Sequence, residues 1–511
     1  MDQTKGQPEP LRLAAAETRL FCILSSMQIL CEGHPRLLGL SSGARFVSHP
    51  PRVRDEPVLA GATFIDAYGC SIYGSVLQDG DRFRMWYQAW PEDFDGRDSL
   101  AVACVESADG VNWERPAYGL IERNGTRANG LTDLPFHAPS VCIDPDAPAG
   151  RRYRAFGYTH PERAVGYHIP TQGKGYYTAH SADGLRWTVE PGPLWPQADV
   201  ITAAWDPWQG EGGAARIAFK HNGLSAGLHR RRFYTAEWRN GVASEPVSAF
   251  IADEVDDQVA RSHGCLSADY YGISWAFSPG PTVAIAWMFR HHGPLGHSPG
   301  RLWHYGNQGP VDLQLRYQLE RGGRWLALPG RPDWLTATDM PEWARGGLYG
   351  ASHALDVGDE TRLYFTGTKE RHGWAGAGAV TDEFRRAYLG GGGFANIGLM
   401  TWPRGRLLGV RADLPEWIDL QAGGASAIGP PGLRLNVATR PTGRVRVALL
   451  DEARKVIEGF GFNDCDGFSG DHLDRPVSWR GSTELPADAP GELIGRVEIE
   501  SGSLWAFNFN R

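Results

Sequence analysis

The chain has 511 residues, 42% of them hydrophobic and 22% charged, enough apolar material for a large buried core and too little charge for an extended disordered polymer. A net charge of −8 and a pI near 6.1, with no long Lys/Arg run, exclude nucleic acid as a partner bound by counterion release. The 65 Gly and 35 Pro predict frequent turns and few long helices, while 19 Trp and 17 Tyr supply core rings and flat faces on which sugars stack.

Near the N-terminus, Phe21 to Leu30 is a short apolar stretch interrupted by Ser25, Ser26 and Gln28. It is too short and too polar to span a membrane, lacks a small-residue cleavage site, and ends in Gln28-Ile29-Leu30-Cys31, which departs from a lipoprotein box. The expectation is an N-terminal segment (1–50) that packs on the domain after it, in a cytoplasmic protein without a membrane partner. Seven scattered Cys (22, 31, 70, 104, 142, 265 and 465) with no CxxC pair predict reduced, buried thiols and no metal site.

The next four-fifths of the chain repeats. Ser107-Ala108-Asp109-Gly110-Val111-Asn112-Trp113 returns 74 positions later as Ser181-Ala182-Asp183-Gly184-Leu185-Arg186-Trp187, and a degraded copy is Glu320 to Trp325. Asp-Gly marks a tight turn, and each copy closes a set of short strands. The predicted strands run Ile72 to Leu77, Phe83 to Trp90 and Leu100 to Cys104, then Ser140 to Ile143, Tyr153 to Tyr158 and Gly175 to Ala179. A third set is Val200 to Trp205, Arg216 to Lys220 and Phe233 to Trp238, and a fourth Cys265 to Tyr271, Thr282 to Phe289 and Leu313 to Tyr317. The fifth is Leu348 to Leu355, Thr361 to Thr366 and Ile397 to Trp402. Five units of roughly 65 to 75 residues without helical periodicity predict an all-β fold, a five-bladed β-propeller over 51–414. After Asp413-Leu414-Pro415, strands at Leu433 to Val437, Gly443 to Leu450, Val456 to Phe460, Arg496 to Ile499 and Leu504 to Phe509 predict a small C-terminal β-sandwich (433–511). Gln421 to Gly432 reads as a linker.

Phe83-Arg84-Met85-Trp86-Tyr87, the two Ser-Ala-Asp-Gly-x-x-Trp segments, Cys142-Ile143-Asp144-Pro145 with Arg152-Tyr153-Arg154, and Trp205-Asp206-Pro207 occur in an order that resembles a set of bacterial proteins described as glycosyl hydrolases. These belong to the arabinanase, levansucrase and invertase five-bladed propeller superfamily. Asp464-Cys465-Asp466, Gly470-Asp471 and Trp479 resemble the sandwich such proteins carry. The resemblance implies a propeller that acts on a carbohydrate or glycoside. It implies no catalytic residues, because the Trp-Met-Asn-Asp-Pro and Arg-Asp-Pro motifs of the invertase branch are missing.

Glycosidic cleavage needs two carboxyl groups facing across the scissile bond, and a propeller offers them at the funnel where innermost strands begin. That rule selects Asp66 as base or nucleophile, Glu254 or Asp257 as acid, and Asp199 as the group that orients the site or shifts a pKa. His137, His263 and His353 fall near the starts of innermost strands, Arg261 and Arg345 suit a substrate carboxylate or phosphate, and Trp86 suits a sugar face. No metal set or cofactor is expected beyond a cation at the propeller axis; His291-His292 with His297 lacks ligand spacing. The activity expected is exo-acting hydrolysis of a furanoside or small glycoside, retaining or inverting. Transglycosylase or lyase chemistry, or an inactive carbohydrate-binding propeller, are the alternatives.

Overall fold

A computed structural model describes residues 36–94, 101–159, 173–196, 199–209, 212–225, 228–278, 280–292, 296–298, 301–304, 308–373, 382–389, 393–422, 431–486 and 492–510. The chain is nearly all β and divides into two units, Ser48–Leu407 and a second made of Met1–Val47 with Leu408–Arg511.

In the larger unit the strands form five antiparallel groups, each opening with a strand buried on both faces. The first group is Gly69–Asp79, Arg82–Trp90 and Val102–Ser107; the second is His137–Ile143, Tyr153–Thr159, Gly175–Ser181 and Thr188–Val189. The third is Ile201–Asp206, Ala214–Ser225 and Leu228–Arg239 with two edge strands, and the fourth is Ser267–Ala276, Thr282–His291 and Val311–Gln318. Gly347–Gly350, Glu360–Thr368 and Ala395–Pro403 make the fifth, and the chain ahead of the first group adds its outer edge, Val53 opposite Met400 and Leu59 opposite Ile397.

Small side chains let the opening strands approach one another. Val141 N–H donates to Ser75 Oγ (2.9 Å), Ser140 Oγ to the Ile201 carbonyl (3.3 Å), Trp275 N–H to the Ser352 carbonyl (2.8 Å) and Ser352 N–H to the Gly74 carbonyl (2.9 Å). Ile201–Asp206 also lies against Ser267–Ala276, so each group's first strand neighbours the next group's, and the fifth neighbours the first.

The repeated turn has one geometry in both copies. Asp109 and Asp183 each accept from two backbone N–H groups ahead, at 2.8 Å, while Ser107 and Ser181 accept from Gly110 and Gly184. Each turn then latches the second strand of the preceding group. Gly184 and Asp183 carbonyls accept from Trp86 Nε1 and Arg84, as Gly110 and Asp109 carbonyls do from Tyr364 OH and Arg362, each at 2.6–2.7 Å. Trp86 is therefore core, 0% exposed and packed on Tyr153, which corrects its expected place on a sugar. Gly184 sits at φ 74°, and a Cβ there would lie 2.7 Å from Trp86 and 3.0 Å from Arg84. Gly184→Ala is expected to cost about 2 kcal/mol or more, read as a lowered midpoint in urea, from left-handed strain plus lost latch packing.

The acidic run 253–257, expected at a blade entrance, is the start of helix α1 (Glu254–Ser262). Asp253 caps it reciprocally with Asp256, a local signal that competes with the strand pattern around it. A second helix, α2 (Asp382–Tyr388), precedes the last strand of the fifth group.

The smaller unit is a seven-stranded sheet centred on two long paired strands, Gly432–Leu450 and Ile494–Asn510, over a core that includes Leu433, Leu435, Val447, Val497 and Phe509. Residues 1–50 were expected to pack on the propeller. Their described part instead contributes strands Arg36–Leu40 and Arg45–Ser48 to this sheet, with Arg36 opposite Gln421 and Leu40 opposite Ile418. Leu37, Leu40 and Phe46, partly buried, pack against its core, burial that two short strands do not find by themselves. Val456 to Phe460 is no strand but a turn region with a single bridge to Leu450, and most of the expected linker (423–430) lies outside the described residues. The five described Cys are buried and free; Cys22 and Cys31 lie outside the described residues.

Candidate functional site

The opening strands bring a set of polar side chains together at their N-terminal ends, and β-bulges set their directions. Register slips between Ser71 and Ser75, between His137 and Ser140, and between Tyr270 and Gly272. Tyr73, Ala138 and Tyr271 lie inside these slips. A bulge inserts an unpaired residue and re-aims its side chain. Two non-glycine residues here have left-handed backbones, Ala138 at φ 52° and Asp199 at φ 100°, strain of the kind that concentrates at functional sites.

Asp199 is the accessible carboxylate of the cluster, with 40% of its side chain exposed. It stands just ahead of Ile201–Asp206; because Ile201 pairs with Phe219, Lys220 comes level with it. Lys220 Nζ is 2.7 Å from Asp199 Oδ2 and 3.5 Å from the centre of the Tyr271 ring. Burial pulls the Lys220 pKa down to about 8 against the opposing pull of Asp199. Burial works to raise Asp199, but the charges of Lys220 first, then His137 and Arg231, outweigh it and hold Asp199 below the usual carboxylate range. Asp199 is thus ionised at neutral pH with a counterion that leaves in mild alkali.

Around this pair, Tyr73 lies 5.6 Å from Tyr349 and 5.9 Å from His137, and Tyr271 lies 5.5 Å from Tyr349 (ring centres). Burial pushes the Tyr271 and Tyr349 phenols well up, so they stay neutral. His137 is 7% exposed and, among the described residues, its Nδ1 has no hydrogen-bond partner. A buried, unsatisfied imidazole nitrogen is costly unless a ligand completes it. Behind the pair, Asp269 is fully buried between Arg231 (3.0 Å) and His291 (3.2 Å).

Of the residues selected from sequence, Asp199 and His137 stand in this cluster. Asp66 does not face it as a base: it is fully buried, accepting from Ala62 N–H, Thr63 N–H and Oγ1, and Tyr87 OH, with Arg115 at 3.4 Å. It organises the turn leading into Gly69–Asp79. Asp257 is no free acid either; Arg230 grips both its oxygens (3.1 and 2.5 Å) and Ala268 N–H donates to it (3.0 Å). Glu254 is exposed in the first turn of α1, and Arg261 is exposed in its last turn. His263 ends the same helix with Nε2 2.9 Å from Asp333. Arg345 is exposed on a cleft, its Nε donating to the Met340 carbonyl (3.2 Å). His291 is buried against Asp269, and the side chain of His297 lies outside the described residues.

Lys220, Arg231, Asp269 and the three tyrosines were not selected from sequence. Their signal is a charge or phenol set within an otherwise apolar buried strand, as in Ser267–Ala276. His353 lies further along, beside Ser352 and bridged to Trp275, where burial lowers its pKa to about 4. The unfolded chain binds this proton below about 6.5 and the folded chain only near 4, so the stability this neutral His permits is present above about 6.5 and lost as pH falls toward 4. Urea unfolding of His353→Asn is expected to show a shallower stability loss between these values than the native chain.

Among the described residues no group of three or more His, Cys, Asp or Glu side chains is placed to hold a metal ion, and no helix is long and apolar enough to cross a membrane. No family model and no curated protein matches the chain. Solved structures resemble it distantly. A thermostable family-43 glycoside hydrolase is 13% identical over 59% of this chain and 84% of that one, with a TM-score of 0.39. A family 43 arabinoxylan arabinofuranohydrolase from Bacillus subtilis, in complex with cellotetraose, is 12% identical over 89% of this chain and 99% of that one, with a TM-score of 0.36. An exo-β-1,3-galactanase from Phanerochaete chrysosporium, solved with galactose, is 12% identical over 88% of this chain and 100% of that one, with a TM-score of 0.36.

Proposed function

We propose that the chain is a glycoside hydrolase whose five strand groups are the blades of a closed five-bladed propeller, followed by a sandwich, and whose reaction centre is Asp199. The observation that carries this reading is the partly exposed carboxylate of Asp199, 2.7 Å from Lys220 Nζ and on a left-handed backbone just ahead of an opening strand. The neighbour order of those strands supports the closed ring, and the sequence resemblance to the arabinanase, levansucrase and invertase superfamily agrees with the carbohydrate assignment.

In this reading the substrate is a furanoside or small glycoside cleaved from its end. Tyr73, half-buried, presents ring surface to the sugar, and the buried Tyr271 and Tyr349 rings back it. With Asp66, Asp257 and Asp269 held in buried contacts, the cluster departs from the expected pair of carboxyl groups. Asp199 takes a proton from the water that attacks the anomeric carbon, and His137, whose buried Nδ1 lacks a partner among the described residues, stands in for the second acid and gives one to the departing oxygen. The bond from carbon to leaving oxygen breaks as the bond to water oxygen forms, with inversion at carbon. Lys220 is a positioning residue that keeps Asp199 ionised.

The test is a panel of aryl-furanosides and aryl-pyranosides with the products analysed by mass and by anomeric NMR, run on the native chain and on His137→Gln. Hydrolysis with inversion, lost in His137→Gln, is the expected outcome. A product lighter by one water identifies elimination and overturns hydrolysis. Tight sugar binding with no turnover on any member identifies a binding propeller instead.

A further inference from the structure

Lys220 is where the reaction centre meets the apolar interior. Its side chain is 3% exposed, and among the described residues Asp199 is its only ion-pair partner. An ammonium held this far from water needs further attraction to keep its charge. A ring face supplies it: Nζ lies 3.5 Å from the centre of the Tyr271 ring. Among the described residues, the other cation–ring contacts are guanidinium groups whose central carbon stays 4.7 Å or more from the ring centre.

The fold fixes that face. Tyr271 occupies the bulge between Tyr270 and Gly272, and inclined rings hold it on several sides, Tyr349 at 5.5 Å, Phe289 at 6.1 Å and His372 at 4.9 Å between centres. Burial keeps its phenol neutral, so it offers the ammonium the electron-rich face of a ring and not a phenolate. The other influences on Lys220 are already matched. Burial works against its charge and Asp199 for it, while Arg231 opposes it and Asp269 favours it. Arg231 and Asp269 are 3.0 Å apart and spend much of their field on each other. His137 bears on Asp199.

We infer that Tyr271 is a positioning residue of the reaction centre, its ring face holding the Lys220 ammonium against Asp199. The inference rests on the reading of Asp199 as that centre. Attraction between a cation and a ring face is strongest where water is excluded, as it is here. Weakening the face should therefore lower the pH at which Lys220 gives up its proton, and with it the alkaline edge of the active range. A ring that merely filled space would act the other way, since shrinking it admits water to the ammonium and moves its titration toward that of free lysine.

The experiment is carbon NMR of the full chain with lysine labelled at Cε, titrated with pH. The chain has five lysines, and Lys220→Arg identifies the signal of Lys220. The titration is repeated for Tyr271→Phe and for mono-, di- and trifluorinated phenylalanine at the same position, rings that keep nearly the same outline while their faces lose electron density stepwise. Tyr271→Phe should titrate close to the native midpoint near 8, and each added fluorine should lower the midpoint, by about one pH unit or more at the trifluorinated ring. A midpoint that stays constant or rises across the fluorinated series overturns the inference. A fall already complete in Tyr271→Phe overturns it as well, because it assigns the effect to the hydroxyl. The midpoint is read without turnover, so a stepwise fall in a chain that hydrolyses nothing sinks the hydrolase reading alone. In a chain that does hydrolyse glycosides, a flat series sinks the role of Tyr271 alone.

Discussion

Asp199→Asn is expected to lower kcat on the best glycoside of the panel about a hundred- to ten-thousand-fold, the range a positioned general base supplies. The amide keeps the shape and the contact to Lys220 but cannot take a proton from water. Its partner sets the pH profile. Lys220 is protonated below about 8, and Asp199 is held below the usual carboxylate range, so the pair is intact from mildly acidic conditions up to about 8. Above that the ammonium loses its proton and no longer holds the ionised Asp199 in place, so kcat/KM should fall along an alkaline limb near 8. Lys220→Met should flatten that limb while reducing the plateau, and Lys220→Arg should move it beyond the accessible range, because guanidinium does not titrate there. A limb unchanged in Lys220→Met would show that another group titrates, and native-level turnover in Asp199→Asn would falsify the assignment of the reaction centre.

Why Asp199 was legible while its surroundings were not has a physical cause. The strand groups follow from short-range patterns: alternation, turn residues, and a repeated Ser-Ala-Asp-Gly-x-x-Trp segment whose hydrogen bonds are all local. Boundaries range from Arg82–Trp90 against the predicted Phe83 to Trp90 to Ser267–Ala276 against the predicted Cys265 to Tyr271, and the predicted Leu348 to Leu355 divides into Gly347–Gly350 and Leu355–Val357. The rule that sites sit where opening strands begin then reaches Asp199 and His137, which immediately precede or start such strands. It cannot see Lys220 or Arg231, which lie on second and third strands and arrive only through register, nor Tyr73 and Tyr271, whose direction depends on bulges. It also cannot tell an accessible acid from a sequestered one. Asp66 and Asp199 both precede opening strands; five local donors and Arg115 bury the first, and a left-handed backbone leaves the second partly open. The place of residues 36–48 escaped for a related reason: their pairing partners lie near 410–421, across the whole larger unit.

Asp257→Ala should be the most damaging substitution to stability among the acids considered for catalysis, at about 3–5 kcal/mol. Asp257 joins three elements: helix α1, the strand Leu228–Arg239 through Arg230, and Ser267–Ala276 through Ala268 N–H. Arg230 and Asp257 are each about nine-tenths buried, so removing the carboxylate leaves a mostly buried guanidinium with its bond to the Ala268 carbonyl but no counterion, and a backbone N–H without its acceptor. Asp257→Asn keeps one acceptor for Ala268 and should cost about 2 kcal/mol less. Chemical unfolding measures both losses, and the decisive readout is turnover per folded molecule. A structural Asp257 leaves that quantity near the native value in the Asn variant at temperatures where it is folded. A catalytic Asp257 lowers it as steeply as Asp199→Asn does, a result that would return the proton donor to helix α1 and remove His137 from that role.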